Sequence, residues 1–451
     1  MAHKRISATL LFAAPVLLSA CMGGEGAGLA NLRPVAAARA MVSGAPSAQT
    51  VATPAQDTSI FANPTGQKQP SPIVTSLQAR NSVLISGSDY QAIVTAVLQS
   101  ASGATAADLK AARLRAEARE KNWLPTIGPS ISLTSLGDLV ANIIIEQVIY
   151  DNGRRKAERE FARADVEVAA VGLSEAVNDR LAEALTLYIS AAKARDKSAM
   201  AATGTSRMLE FQRVVTARVD GGVSNPSDLQ VVRSKVADME SLTSTQSEAS
   251  NTALAELSAM TTRRIGLPAA IQPMPLPQAD LPALSVLRAQ AEAERTRAEA
   301  DIARASALPT LGASAAVGSS NTAGLSVDGA GLGFGTAASR EAAQYSAQAA
   351  QARVIDARED ATRLRARLES RLTALARQDG DEAALVQQTR ANFRLFFDQF
   401  DGGQRSVMDV VNVYEQMIHQ ELEHLDVQYE IVLTQLELAR LTGTLANGSD
   451  I

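Results

Sequence analysis

The chain of 451 residues carries 43 Lys and Arg against 48 Asp and Glu, a net charge of -5, and is 46% hydrophobic but only 4% aromatic. Charges of both signs run throughout, which gives no footing for nucleic acid. A single cysteine excludes an intrachain disulfide, and three histidines supply metal or nucleophilic chemistry poorly.

Residues 1–20 combine a basic start, His3-Lys4-Arg5, an apolar run from Ala8 to Leu18 and small residues, the layout of a cleaved secretory signal. Leu18-Ser19-Ala20-Cys21 resembles the lipobox of bacterial lipoproteins, which implies acylation of Cys21. Such an anchor ties a protein to a bilayer surface without spanning it. Met22, rather than Asp, stands after it, and by the same resemblance favours export to outer-membrane lipid. Beyond the signal no run of eighteen apolar residues occurs, so a helical membrane span is excluded and any crossing falls to strands.

Residues 21–84 are rich in Ala, Pro, Ser, Thr and Gln without a sustained period and read as a tether or extended wrap. A first structural unit is expected over 85–268. It opens with helix from about Gly87 to Asn122, broken near Ser102-Gly103 and ended by Leu124-Pro125. A strand hairpin follows within 126–150, from Ile127 to Leu136 and from Leu139 to Tyr150, divided by Gly137-Asp138. A long helix is expected from Arg154 to Val219, roughly 100 Å at 1.5 Å per residue, then a tip and a helix over 228–265. A helix of that length needs neighbours along all of it. Residues 269–283 form a proline-rich link.

The plan then repeats over 284–445. Leu124-Pro125-Thr126-Ile127-Gly128 returns as Leu308-Pro309-Thr310-Leu311-Gly312, and Asp220-Gly221-Gly222 with Asp228 returns as Asp401-Gly402-Gly403 with Asp409. A helix over 284–307, a hairpin within 309–335 (Leu311 to Val317 and about Leu325 to Phe334), a long helix over 338–399, a tip and a helix over 407–441 are expected, with 446–451 as a tail. The short helices laid end to end match one long helix, which suggests a tall bundle of continuous and stacked helices. The fold class is therefore mainly α with a small β part.

Here the chain resembles the TolC-type family of outer-membrane efflux and secretion channels. Gln147-Val148-Ile149-Tyr150-Asp151-Asn152-Gly153-Arg154-Arg155 is similar to that family's Gln-Pro-Leu-Phe-Asp-Gly-Gly-Arg-Arg, with Val148 in place of the proline. The family's tips, Gly-x-x-x-x-x-Asp-Val/Leu, are matched by Gly222 to Asp228-Leu229 and by Gly403 to Asp409-Val410. In the second repeat the strand-to-helix element is reduced to Gly333-Phe334-Gly335-Thr336. The resemblance implies a homotrimer with a 12-stranded barrel, four strands from each chain, above a helical tunnel. It further implies a periplasmic adaptor as partner and, through it, an inner-membrane transporter of ABC or RND type.

By the same resemblance the tips lie at the periplasmic entrance, and Asp228, Arg405, Asp409 and Asn412 are the candidate gate residues. Threefold symmetry would make Asp409 a ring of three charges. Arg405 is expected to pair with Asp409 or to reach a neighbouring tip, and Asn412 stands where relatives often carry a second acid. Both aspartates also suit capping of a helix start. Gly221, Gly222, Gly402 and Gly403 supply turns between antiparallel helices. No phosphate-cradling motif occurs, and His419 and His424, five apart, fall on different helix faces, so neither cofactor nor metal is expected. Trp123 and Tyr150 are placed at a membrane interface or in plain packing, and Phe393, Phe396, Phe397 and Phe400 read as a buried helix stripe. The leading expectation is a passive export duct and no enzyme. A lipid-anchored coiled-coil scaffold without a pore is the alternative, and it would need no membrane strands.

Overall fold

The computed structural model describes residues 71–101, 103–133, 139–261, 265–268, 270–318, 321–329, 333 and 335–449, all within one compact unit of residues 57–451. The signal, Cys21 and most of the tether fall outside them. Three short helices come first, α1 (Pro72–Gln78), α2 (Asp89–Gln99) and α3 (Ala104–Glu120). Strands β1 (Thr126–Leu133) and β2 (Leu139–Tyr150) lead into α4 (Arg154–Asp220), a helix of 67 residues, and α5 (Pro226–Ala259) returns alongside it. The second half gives α6 (Leu284–Ser306), β3 (Thr310–Gly318), β4 (Thr322–Asp328), α7 (Thr336–Asp401) and α8 (Val407–Thr442). No described helix is long and apolar enough to cross a membrane.

Three boundaries differ most from expectation. Helix α5, expected over 228–265, spans Pro226–Ala259 with Met260 as its C-cap. Helix α1 lies inside the stretch read as tether. Ser71 Oγ caps it by accepting from the N–H groups of Ile73 and Val74, Pro72 opens it, and Ile73, Val74 and Leu77 are buried. Strand β4 begins at Thr322, three residues before its expected start, and ends at Asp328 rather than near Phe334.

The strand-to-helix motif has a physical basis. Asn152 (φ 54°) and Gly153 (φ 86°) both take left-handed backbone. Asp151 supplies the missing acceptors, its Oδ1 taking the Gly153 N–H at 3.1 Å and its Oδ2 the Arg155 N–H at 2.8 Å. Asn152 Nδ2 donates to Pro309 O at 2.7 Å, tying this corner to the Leu-Pro element of the other repeat.

Helix α4 is the spine, packing against α3, α5, α6 and α8, while α7 packs on α6 and α8. One apolar cluster gathers α1, α2 and the first half of α4 with α6 and the end of α8. A second lies toward the helical tips around Met208, Phe211, Val236 and Tyr414. The proline-rich link crosses the bundle as a belt. Prolines remove N–H donors and leave carbonyls to be satisfied, and side chains from three helices and from the segment after α1 take them. Tyr90 donates to Gln272 O at 2.7 Å, Arg195 to Pro268 O, Arg365 to Ala279 O and Arg80 to Pro282 O.

Arg80 is 2% exposed and also donates to Thr442 O at the end of α8. That contact sets its charge against the negative end of the helix dipole. Burial pushes its guanidinium down to about 10. Around it Val83 N–H donates to Thr444 O, Gly448 N–H to Arg80 O and Leu445 N–H to Asn178 Oδ1, so that the chain's two described ends form one clasp.

Candidate functional site

The four strands form one antiparallel sheet in the order β1-β2-β3-β4. Register places Ile127 opposite Ile145, Pro129 opposite Ile143, Ile143 opposite Val317, Ala313 opposite Leu325 and Leu311 opposite Val327. One face therefore carries Ile, Pro, Ala, Val and Leu, with Gln147 at its helix-side end, and it points to open space: Ile127, Ile131, Leu325 and Val327 are each about 70% exposed. The opposite face carries Thr126, Gly128, Ser130, Asn142, Ile144, Glu146, Ser314, Gly324 and Ser326. An apolar-out, polar-in alternation of this kind is the pattern of a strand between lipid and water. A β-bulge between Val148 and Tyr150 turns Tyr150 to pair with Leu311. Trp123 and Tyr150, both 61% exposed, flank the helix-side end of the hairpin, where Gln147 Nε2 donates to Trp123 O at 2.8 Å.

At the far end of the bundle the two repeats turn with one geometry. In the first, Gly222 N–H donates to Val219 O (2.9 Å) and Val223 N–H to Arg218 O (2.7 Å); in the second, Gly403 N–H donates to Phe400 O (2.9 Å) and Gln404 N–H to Gln399 O (2.8 Å). These are the paired bonds of a Schellman helix end, which needs left-handed backbone just past the helix. Gly222 (φ 71°) and Gly403 (φ 74°) provide it. Gly221 (φ -80°) and Gly402 (φ -74°) keep ordinary backbone, so only the second glycine of each pair is demanded by conformation.

No protein-family model matches the chain, and no curated protein matches it in sequence. Among solved structures it superposes on a membrane protein from Pseudomonas aeruginosa with a TM-score of 0.72 at 14% identity, over 85% of this chain and 98% of that one. The outer membrane protein VceC of Vibrio cholerae gives 0.69 at 16% identity over 78% and 96%, and the CmeC outer membrane channel of Campylobacter jejuni 0.67 at 12% over 86% and 95%. The chain has the fold of the TolC-type outer-membrane channels.

Within that channel fold the candidate gate residues sit as follows. Asp409 lies in the first turn of α8 in a capping box. Its Oδ2 accepts from the Ser406 N–H (3.2 Å) and hydroxyl (2.8 Å), while its own N–H donates to Ser406 Oγ (3.2 Å). Asp228 occupies the matching place in α5, after Asn225, whose side chain accepts from the Ser227 N–H. Asn412 is exposed one turn into α8. The expected pair between Arg405 and Asp409 does not form. Arg405 Nε donates to Gln399 Oε1 at 3.0 Å and its guanidinium lies 4.4 Å from the centre of the Phe396 ring, because Ser406 already holds the carboxylate.

The phenylalanine stripe is half-buried rather than buried, and guanidinium groups complete its cover. Arg207 stands 4.8 Å from the Phe397 ring and 5.4 Å from Phe211, and Arg218 stands 5.7 Å from Phe400. Sequence reading missed both arginines. The spacing of four between Arg207 and Phe211 on one helix is the signal that was there to find. His424 approaches Asp379 at 3.0 Å on the neighbouring helix, and no group of metal-binding side chains occurs among the described residues. The wall between α4 and α8 is charged: Lys193 and Lys197 each reach Asp426 at 2.9 Å. Burial opposes ionisation there, yet the hydrogen bonds and the charges of the two lysines together outweigh it and hold the Asp426 carboxyl below its ordinary value.

Proposed function

We propose that three copies of this chain close into an outer-membrane duct, each giving four strands to a 12-stranded barrel, with α4, α7 and the paired short helices forming a tunnel into the periplasm. The observation that carries this reading is the sheet itself. One face is apolar apart from Gln147 at its helix-side end and is exposed at most of its large side chains, and among the described residues the sheet ends at β1 and β4 with no partner strand beyond either. Hydrocarbon does not tolerate open strand edges, and four strands cannot close alone. The free flanks agree. Packing runs α3 and α5, then α4, then α6 and α8, then α7. The β1 edge therefore follows one outer helix layer in the chain and the β4 edge precedes the other, as head-to-tail closure of a ring requires.

The duct is passive in this reading. A periplasmic adaptor meets the tips and an inner-membrane transporter, of efflux or type I secretion type, drives cargo through it. Cys21 carries the lipid that holds the tether to the outer membrane, and no nucleic acid is involved. Asp228, Asp409 and Asn412 line the entrance. Capping does not remove the charge of Asp409, so three copies still form an acidic ring whose replacement by Ala alters cation block or conductance without stopping assembly. A poreless scaffold gives the apolar sheet face nothing to do.

Electron microscopy of the full-length protein, extracted by detergent from outer-membrane fractions, tests this. The expected particle is hollow and threefold, roughly 130 Å long from about 100 Å of helix and about 30 Å of barrel. A compact monomer, or a solid rod without a barrel, overturns it.

A further inference from the structure

We infer that, midway along the bundle, α7 of one copy docks on α5 of the next in the register that α4 takes on α8 within the chain, with Arg377 against Glu248 and Leu385 over Ala237 of the next copy. This inference rests on the threefold reading above and adds which side chains join the copies. The chain supplies its own template. An offset of 181 residues carries the α4–α5 pair onto the α7–α8 pair well above the turns: Ser198 Oγ on α4 donates to Thr243 O on α5 at 3.0 Å, and Asp379 on α7 meets His424 on α8 at 3.0 Å. Within the chain the two pairs join where α4 packs on α8. Three copies in a head-to-tail ring alternate the pairs, so closure brings α7 to α5 of the next copy as α4 is brought to α8.

The contacts of the inner seam translate into complementary partners for the outer one. Gly204 on α4 is buried under Ile418 on α8, where a Cβ would stand 3.7 Å from Ile418 Cγ1. The same positions hold Leu385 on α7, 40% exposed, and exposed Ala237 on α5, so the large residue has changed sides. Tyr429 on α8 is fully buried and donates to Asp196 Oδ2 on α4 at 2.5 Å. Its place on α5 is taken by Glu248 and that of Asp196 on α7 by Arg377, opposite charges that are both exposed, and among the described residues no ion pair reaches either. Glu248 lines an open groove of about 800 Å³ with Ser244, Ser247 and Asn251, whose oxygens suit a guanidinium. Lys193 and Lys197 on Asp426 give way to Ala374, Gln378 and Thr245, which leaves no cation to compete with Arg377. The exchange also rejects wrong pairings: α4 on α5 of another copy would set Asp196 against Glu248, and α7 on α8 would crowd Leu385 onto Ile418.

Cysteine pairs placed in the full-length protein and oxidised mildly in outer-membrane fractions test the inference, with the natural chain as baseline. Ala237→Cys with Leu385→Cys is expected to give covalent products of two and three chain masses on a denaturing gel. Glu248→Cys with Leu385→Cys, three helical turns along α5, is expected to stay at one chain mass. Charge exchange gives a second readout that needs no new bond. Glu248→Lys is expected to lower the trimer recovered in detergent roughly 10- to 100-fold, three seams each losing a factor of about 2 to 5, and adding Arg377→Glu is expected to restore most of it. Both side chains are exposed within the chain, so these exchanges leave its own packing in place. Threefold particles in which the first cysteine pair stays unlinked, the shifted pair links instead, or the double exchange recovers no more trimer than the single one overturn this seam. Monomers alone from the natural chain instead overturn the threefold reading on which it rests.

Discussion

Adjacent isoleucines on β2 offer a test of the sheet's two faces with one chemistry. Ile143 sits on the apolar face between Pro129 and Val317 and is 55% exposed. Ile144 sits on the opposite face between Gly128 and Ala316, whose small size leaves room for a longer side chain. Replacing Ile143 by Arg puts a guanidinium into hydrocarbon, at a cost of roughly 2–4 kcal/mol near the bilayer midplane and roughly 6–12 kcal/mol for a threefold assembly carrying three copies. Replacing Ile144 by Arg puts the same group into a water-filled lumen, at a cost near zero. The expected result is that Ile143→Arg is depleted from the outer-membrane fraction as assembled particle while Ile144→Arg is recovered at the natural level, both measured by native gel and thermal midpoint. Ile149→Arg, at the helix-side end of β2, is expected to be milder because the penalty falls to about 0–1 kcal/mol near the interface. Equal loss from Ile143→Arg and Ile144→Arg, or none from either, refutes the assignment of faces.

Three further outcomes follow from local geometry. Ser406→Ala removes the hydroxyl half of the α8 capping box, the Oγ that accepts from the Asp409 N–H, while the backbone N–H of residue 406 still donates to the Asp409 carboxylate; it is expected to cost about 1 kcal/mol per chain, seen as a lower thermal midpoint. Gly403→Ala is expected to cost about 1 kcal/mol because φ is 74° with no atom within 4 Å of the new Cβ, so the cost is purely conformational. Gly402→Ala, with ordinary backbone and its Cβ 3.5 Å from Asp398 O, is expected to be neutral. Burial raises the Glu167 carboxyl above its ordinary value, helped by Glu294 and opposed by a hydrogen bond with Ser71. Its charged form is therefore disfavoured by folding, and the penalty is present above the folded value and absent below the unfolded one. Glu167→Gln is thus expected to raise the thermal midpoint at pH 7, with the gain vanishing by about pH 4, near the unfolded carboxylate range; a gain independent of pH refutes it.

Long-range order was legible because it is written in repetition. The recurrence of Leu-Pro-Thr and Asp-Gly-Gly located both hairpins and both turns, and the 66-residue expectation for the first long helix met a helix of 67. What escaped was short or non-local. Helix α1 has seven residues, fewer than two helical turns, so no period develops although Ser71-Pro72 announces its start. The beginning of β4 was missed because Ala323-Gly324 has weak strand preference and is held by pairing to β3 rather than by its own side chains. The partner of Arg405 could not be read from spacing, since Asp409 and Phe396 compete for it from opposite sides along the chain, and the capping bond to Ser406 decides the outcome.

The two tips also show how a duplicated backbone acquires a directional interface. Their turn hydrogen bonds are equivalent at an offset of 181 residues, so the glycines and capping residues carry the shared plan. Side chains packed behind the turns are not equivalent. Where α7 has Phe393, Phe396, Phe397 and Phe400, the same positions of α4 hold Gln212, Val215, Thr216 and Val219. Where α4 has Arg207 and Arg218, α7 holds Gln388 and Gln399. In the two pairs that join the repeats, Arg207 with Phe397 and Arg218 with Phe400, the cation comes from α4 and the ring from α7. A like-with-like arrangement would set guanidinium against guanidinium at the same depth, a repulsion, whereas the divided set makes these two contacts attractive. Divergence between equivalent positions therefore marks the interface between the repeats, and the same comparison marks Arg405, opposite Ser224 in the first tip, as a residue particular to the second.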